Sequence, residues 1–233
     1  MRELSAAELL DVWERGVRAS WGRRAALLVE ASRDAATEAS ALSIGARDAW
    51  LLRLREQTFG SEMEGRADCP ACRDSIEMRF TTDDIRVETP CSELSHTIML
   101  NKDGWSVEFR LPTAADLADL PDEPDAARRC LLDRCLMSGH ESLPDAVVDA
   151  VSVKMAEADP QADVHVALQC PACGHRWCAA FDIVSFFWTE IHAWAWRLLR
   201  EVHTLASAYG WREADILAMS AVRRHWYLGM VNA

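Results

Sequence analysis

The feature that most constrains this chain is a short cysteine motif that occurs twice. Cys69-Pro-Ala-Cys72 and Cys170-Pro-Ala-Cys173 are identical, and residues 73–169, 97 in all, separate them. Two intervening residues let both sulfurs of such a knuckle face one tetrahedral ion. Gly174, directly after the second knuckle, lets backbone N–H groups approach the sulfurs without a side-chain clash. The doubled motif predicts one structural Zn²⁺ ion, with four ligands: Cys69, Cys72, Cys170 and Cys173.

Three other interpretations of the motif stay open at the level of sequence. Either His175 or Cys178 can replace one of the four cysteines as a ligand. A thioredoxin-like redox site fits less well, because that motif opens a helix whereas Gly174-His175-Arg176 indicates a turn. A zinc-dependent enzyme needs an open coordination position, and four cysteines deny it.

Strand patterns border both knuckles. Apolar and polar residues alternate over residues 76–80, after the first knuckle, and over 164–168, before the second; this is the period of a half-buried strand. Two knuckles on adjacent hairpins make a zinc ribbon, here with a long insertion. Closing so long a loop costs only slightly more than closing a medium one, because the entropy grows logarithmically with length. Structural zinc binding, worth about 10 kcal/mol or more, offsets that cost.

The rest of the chain is predicted to be mainly helical. Ser5 with Glu8 indicates a capping box for the first helix, and residues 42–48 indicate a turn into the third. Asp103-Gly104, between strand-like runs over 96–100 and 105–111, indicates a hairpin. From apolar spacing, breakers and caps, the predicted helices are 4–15, 23–36, 49 to about 59, 113–120, 126–137, 144–158, 183–208, 213–219 and 221–228.

We therefore expect a helix-rich α+β fold that contains a zinc ribbon and ends in a helical tail. The predicted segments are an N-terminal helical part (1–66), the first knuckle and strand (67–82), an acidic α/β insertion (83–163), the second knuckle hairpin (164–181) and aromatic-rich C-terminal helices (182–233). The remaining cysteines, Cys91, Cys130 and Cys135, lack partner spacing and are expected to be small core side chains.

Charge is distributed unevenly along the chain, whose net charge is −12. Residues 73–169 carry 20 acids and 9 bases, a net of −11, whereas residues 182–233 carry 5 of each. Binding to a phosphate backbone needs clustered positive charge, so nucleic acid is not an expected partner.

The sequence also argues against a membrane protein. The most apolar window, residues 181–199, contains Asp182, Glu190, His192 and Arg197, which makes it a poor membrane span. No basic-then-apolar signal opens the chain, so we expect the cytoplasm, where cysteines stay reduced or bind metal.

Catalytic motifs are absent from the sequence: there is no nucleophile elbow, no glycine-rich phosphate loop and no paired His-Glu zinc motif. We therefore expect a protein that is not an enzyme and takes no small-molecule substrate. Trp and Arg dominate interface hot spots. Candidate partner-binding residues in the tail are thus Trp196, Arg200, Trp211, Arg223, Arg224 and Trp226. The structural alternative is that the tail face bearing Trp196 packs against the N-terminal helices.

The sequence resembles the T4-family baseplate hub assembly chaperones encoded in contractile phage tails and contractile injection systems. The resemblance is strongest over 170–228. It is carried there by Cys170-Pro-Ala-Cys-Gly-His-Arg-Trp177, Phe181-Asp-Ile183, Trp188-x-Glu-Ile191, Trp194-Ala-Trp-Arg-Leu-Leu199, Glu201-Val-His-x-Leu205, Tyr209-Gly-Trp211, Ile216-Leu217 and Arg223-Arg224. Upstream it is carried by Leu42-x-Ile-Gly-x-Arg-Asp48, Leu51-Leu-x-Leu-Arg55, Phe59-Gly60 and Arg110-Leu-Pro-Thr-x-x-Asp-Leu117.

This resemblance implies a role in building the baseplate hub by binding other tail proteins, without catalytic residues. The chain departs from the family pattern at Trp196, where a basic residue is expected, and at Arg73, where the first knuckle lacks the usual glycine. Two alternatives remain: a permanent structural component of the baseplate, and a zinc-ribbon adaptor unrelated to injection systems.

Overall fold

The computed structural model describes residues 2–33, 42–87, 97–137 and 143–231. In chain order, the elements of these residues are α1 (Ala6–Gly16), α2 (Trp21–Ser32), α3 (Ile44–Phe59), β1 (Glu62–Asp68), β2 (Ser75–Thr81), α4 (Thr82–Ile85), β3 (Ile98–Lys102), β4 (Trp105–Phe109), α5 (Pro124–Cys135), α6 (Asp145–Ala158), β5 (His165–Gln169), β6 (Arg176–Ala180), α7 (Ile183–Tyr209), α8 (Glu213–Leu217) and α9 (Ala221–Val231). A 3₁₀ turn, Pro160–Ala162, precedes β5. No helix of these residues is long and apolar enough to span a bilayer.

The chain forms two compact units. The first comprises Met1–Asp34 and Val184–Ala233, and the second comprises Ala35–Ile183. The first unit is helical, whereas the second contains the strands. The expected helix-rich α+β fold is confirmed.

Capping residues mark the beginnings and ends of helices in the first unit. Ser5 and Glu8 form the predicted capping box at the start of α1. Gly210, with a φ of 66°, follows the last residue of α7 and donates its N–H to the carbonyl of Ala206 at 2.9 Å, as expected of a left-handed C-terminal residue. The hydroxyl of Ser220 accepts the N–H of Arg223 at the start of α9.

Helix α1 packs against α7 through aromatic side chains. The indole of Trp13 donates to Nδ1 of His192 at 3.0 Å, and that of Trp196 lies 3.2 Å from Nε2 of the same ring. A neutral imidazole accepts at one nitrogen only, so a single indole bonds at a time. One turn further along α1, a Cβ on Gly16 would lie 2.1 Å from the ring of Trp188. The face of α7 that bears Trp196 therefore contacts an N-terminal helix, which is the structural alternative to a partner-binding face.

Each of the three hairpins of the second unit is a separate two-stranded antiparallel sheet. The knuckles lie in the β1–β2 and β5–β6 connections, and the strands predicted after the first knuckle and before the second are β2 and β5. In the third hairpin, Asp103 and Gly104 join β3 to β4 with φ values of 51° and 82°. Two consecutive positive φ values give the tight turn that matches the twist of paired strands.

The insertion between the knuckles has its own apolar core. Its buried members are Val107, Phe109, Leu132, Cys135, Val147, Val151 and Met155, contributed by β4, α5 and α6. Burial raises the pKa of the Cys135 thiol to about 11, which fits its predicted role as a small core side chain. Cys130 is half-buried. Cys91 lies outside the described residues.

Two local predictions are wrong. Residues 44–48 belong to α3 rather than to a turn, because Ser43 caps the helix by accepting the N–H of Ala46. Residues 113–120 form turns rather than a helix. There Asp116 accepts the N–H of Thr113 but also binds both terminal nitrogens of Arg110, at 2.6 and 2.7 Å.

Two further differences from the sequence-based expectations concern a strand that was not predicted and the C-terminal end of α2. The sequence pattern does not predict β1, because Met63, Gly65 and Ala67 form a weak apolar alternation. Helix α2 ends at Ser32, short of the predicted limit, and residues 34–36 lie outside the described ranges.

The N-terminus of α3 packs closely against the 3₁₀ turn at Gly45. Asp159 accepts the backbone N–H of Gly45 at 2.8 Å, across 114 positions of sequence. A Cβ on Gly45 would lie 2.1 Å from Oδ1 of Asp159 and 2.8 Å from the backbone nitrogen of Ala162. These distances are shorter than real Cβ contacts, so a side chain here must displace backbone.

The substitution Gly45→Ala should lower the free energy of unfolding by about 2–4 kcal/mol, the sum of a steric clash and a disrupted buried hydrogen bond. Chemical denaturation of the purified protein measures this change. Gly22→Ala is the matched control, because a Cβ at this helical position meets nothing within 4 Å. It should be neutral or stabilising by up to about 1 kcal/mol. Equal effects of the two substitutions would contradict the role assigned to Gly45.

Candidate metal centre

The two knuckles fold as the same backbone turn. In the first, the N–H of Arg73 donates to the carbonyl of Cys69, and the N–H of Cys69 donates to the carbonyl of Asp74. In the second, Gly174 and Cys170 make the corresponding bonds to Cys170 and His175, and all four distances are 2.9 Å. Replacing the usual glycine by Arg73 therefore leaves the knuckle geometry unchanged.

The four sulfurs converge although the knuckles are remote in sequence. All four Sγ atoms lie within 4.8 Å of one another. Between the knuckles, the sulfurs of Cys69 and Cys173 lie 3.7 Å apart, and those of Cys72 and Cys170 lie 3.6 Å apart. Tetrahedral zinc with Zn–S bonds of about 2.3 Å requires sulfurs about 3.8 Å apart. The arrangement is therefore compatible with one tetrahedral ion.

Each knuckle contributes one buried and one exposed sulfur. Cys69 and Cys170 are buried, whereas Cys72 and Cys173 are exposed. A metal at this site would thus be covered on one side by protein and would face solvent with the other two ligands.

The pKa values of the Cys69 and Cys72 thiols differ because their hydrogen bonds differ. Desolvation by burial opposes ionisation of Cys69, but hydrogen bonds from the N–H groups of Cys72 and Ala71 outweigh it and lower its pKa to about 7. The N–H of Asp74 favours the thiolate of Cys72, yet hydrogen bonds with the neighbouring thiols raise that pKa to about 12. Four thiolates this close repel one another unless a cation lies between them, so full ionisation is coupled to metal binding.

The alternative ligands lie outside the cluster. Within the described residues, the metal-competent group contains four cysteines and neither His175 nor Cys178. The ring of His175 stacks on Trp177 at 5.9 Å, and Cys178 is exposed on β6.

An aromatic contact joins the two hairpins at their ends remote from the knuckles. Phe80, in β2, meets Phe181, just beyond β6, edge to face with their centroids 5.8 Å apart. Such a pair contributes about 0.5–1.5 kcal/mol beyond its buried area. The sequence pattern predicts that Phe80 lies on a strand but does not predict its contact with Phe181, because nothing in the spacing relates the two positions.

The predicted partner-binding residues differ in their surroundings. Trp196 and Trp226 are 50% and 68% exposed, and Arg200 and Arg223 are also exposed. Trp211 is half-buried, stacked on Tyr209 with the ring centroids 4.4 Å apart.

Arg224, the sixth of these residues, is buried. It donates to Glu201 at 3.0 Å and to the carbonyl of Met219 at 2.7 Å. The partner-binding role of the set stays a prediction, but Trp211 and Arg224 already have structural roles within the chain.

The fold and the cysteine cluster define a helix-rich protein with a candidate ribbon-type metal site. Residues 27–135 match the family model described as T4 bacteriophage base plate protein. The match covers just under half of the 233 residues and includes the first knuckle and the β3–β4 hairpin. A search among curated proteins found no significant match, and neither did a search among solved structures. The family match supports a phage baseplate-related protein.

The motif residues that lie within the matched region are structural. Arg110 holds the pKa of Asp116 well below its ordinary value through their paired hydrogen bonds. Burial raises the pKa of Asp48 to about 6, against the effect of the adjacent Arg47. Asp48 and Asp116, which belong to the upstream motifs, thus each pair with a nearby arginine.

Arg73→Gly should stabilise the protein by about 0.5–1 kcal/mol, because φ at this position is 66° and a side chain there is strained. The reciprocal change, Gly174→Ala, should destabilise by about 1–2 kcal/mol, since its φ is 74° and no atom lies near the new Cβ. Thermal unfolding of the metal-loaded protein measures both. Shifts of the same sign in the two variants would contradict the equivalence of the knuckles.

Substituting Cys170→Ser should release the metal and abolish the cooperative unfolding of the ribbon, because metal binding and folding are coupled in such sites. Metal content per chain, measured by plasma mass spectrometry, and the melting curve report the two effects. Cys178→Ser is the matched control and should retain full metal content. Unchanged metal and melting in Cys170→Ser would show that this residue is not a ligand.

Proposed function

We propose that this chain is a non-enzymatic assembly factor, a chaperone, for the baseplate hub of a phage-tail-like contractile injection system. The observation that carries the proposal is the match of residues 27–135 to a base plate protein family. In this proposal the chain acts in the cytoplasm by binding hub or other tail proteins. It acts on no nucleic acid, membrane or small-molecule substrate.

The cysteine cluster has a structural task in this proposal, and we propose that its ion is Zn²⁺. Thiolates are soft ligands that suit zinc, and four of them leave no coordination position for water or substrate. The ion would hold the β1–β2 and β5–β6 hairpins together. A closed site of this kind supports a binding protein rather than a hydrolytic enzyme.

Exposed aromatic side chains and the acidic insertion support protein binding. Trp196 and Trp226 expose half or more of their surface, and burying a large aromatic ring is a typical source of affinity at interfaces. Residues 73–169 carry a net charge of −11. An acidic chaperone can cover a basic hub surface until its later partners arrive.

A permanent baseplate component is the second candidate function. The family description, a base plate protein, suits a resident subunit as well as an assembly factor. The two differ in what happens after assembly, because a chaperone leaves the finished particle whereas a component remains in fixed copy number.

A tagged copy, expressed in the native cell, should capture hub proteins, whereas mass spectrometry of purified particles should not detect this chain. Deleting the gene should leave cells without full-length, contraction-competent particles. Cys170→Ser in the tagged copy should lose the hub proteins along with the metal, and Cys178→Ser should keep both.

Each other outcome has a definite meaning for these two candidates. Finding the chain both in the pull-down and in particles would make it a structural component. Intact, contraction-competent particles from the deletion strain would overturn the assembly role altogether.

A further inference from the structure

Helix α9 has two unlike sides. Toward the rest of the first unit it presents Arg224, whose guanidinium binds Glu201 of α7. It also presents Tyr227, which meets Trp211 edge to face at 4.8 Å. These contacts fix the rotation of α9 about its own axis, and therefore determine which residues point away.

The side that points away is apolar. Val222, Trp226 and Met230 are 69%, 68% and 63% exposed, and they recur every four residues along one stripe. Three of the ten exposed large apolar side chains reported for the described residues thus lie on this helix of 11 residues. Exposed apolar residues that occur singly need no explanation, whereas a continuous stripe marks an interaction site.

Gly229 lies on the same side, between Trp226 and Met230. A Cβ at this position would meet nothing within 4 Å, so packing inside the chain does not require a glycine. Glycine inside a helix is less favourable than alanine. The missing side chain leaves open space on this side of the helix, into which the backbone of another helix can approach closely.

Arg223 supplies the charge of this surface. Helix α9 contains no Asp or Glu, and among the described residues no carboxylate lies within ion-pair distance of Arg223, which is exposed. Arg223 occupies the first turn, where the helix dipole disfavours a cation. The free helix therefore carries a stripe whose exposed formal charge is positive.

We propose that this outer face of α9, consisting of Val222, Arg223, Trp226, Gly229 and Met230, binds an amphipathic helix of a partner protein. The apolar side of that helix covers Trp226 and the open space at Gly229, and an Asp or Glu at its edge pairs with Arg223. A second copy of α9 is not the occupant, because it offers no carboxylate to either Arg223. The inference deepens the proposed function and rests on it for the identity of the partner as a tail protein.

The test is site-specific photocrosslinking of the full-length chain in the native cell. Met230→p-benzoylphenylalanine places the probe in the outer face, and Ser207→p-benzoylphenylalanine, at an exposed position of α7, is the matched control. Peptide mass spectrometry then identifies the crosslinked segment. The expected product joins Met230 to a segment of another protein with apolar residues at helical spacing flanked by Asp or Glu.

Variants separate the apolar and the charge contributions. Trp226→Ala should reduce the Met230 crosslink about 30-fold, as expected for loss of a central aromatic hot spot. Arg223→Glu should reduce it about 10-fold, whereas Arg223→Lys should retain most of it. An acid in the first turn favours the free helix, so circular dichroism should show α9 intact in Arg223→Glu. Arg197→Glu, on the exposed side of α7, should have no effect.

Three outcomes would overturn the inference: crosslinks to copies of this chain alone, crosslinks to a basic segment, or a Met230 yield no higher than that of Ser207. Failure of the proposed function looks different. An acidic amphipathic helix from a protein unrelated to tails would keep the inference and refute the proposed function. If hub proteins copurify with the chain but no crosslink forms at Met230, the proposed function is kept and the inference about α9 is refuted.

Discussion

Convergence of four cysteine sulfurs is the constraint on which the rest of the second unit depends. Two sulfur pairs that meet across the knuckles are separated by 98 and 104 positions of sequence. Each knuckle lies on a two-stranded hairpin, and an isolated hairpin is marginally stable at best. The converging sulfurs and the edge-to-face contact of Phe80 and Phe181 join the two hairpins into one structure. The two ends of the insertion between the knuckles are thereby held close together.

What the sequence predicts well is what local chemistry determines. The capping box at Ser5, the Asp103-Gly104 turn and both knuckles each occupy a few consecutive residues, so their signals survive in any fold. Residues 113–120 show where this reasoning fails. Thr113 and Asp116 make the local contact of a helix start, but Arg110, which directly follows β4, binds both carboxylate oxygens. Arg110 is close to Asp116 in sequence, yet its side chain reaches the carboxylate only once the β3–β4 hairpin has formed.

The candidate metal ligands could be predicted from the sequence, whereas the long-range contacts of the second unit could not. Spacing alone pairs Cys69 with Cys72, and the repeated motif pairs the two knuckles. Nothing in the sequence relates Gly45 to Asp159, which meet across 114 positions. The family match covers one member of this pair, because it ends at residue 135. Long-range backbone contacts leave no periodic trace, and a structure is required to find them.

Residues that weaken local structure have different explanations in the two units. Arg73 holds a positive φ that glycine occupies in the other knuckle, and the ring of knuckle hydrogen bonds imposes that conformation whatever the side chain. Helix α9 contains no comparable constraint on its outer face. Arg223 opposes the helix dipole and Gly229 lowers helix propensity, while both side-chain positions face solvent. The compensation for these two costs is therefore to be sought outside the chain, which is why the exposed stripe around Trp226 points to a partner rather than to a feature of the fold.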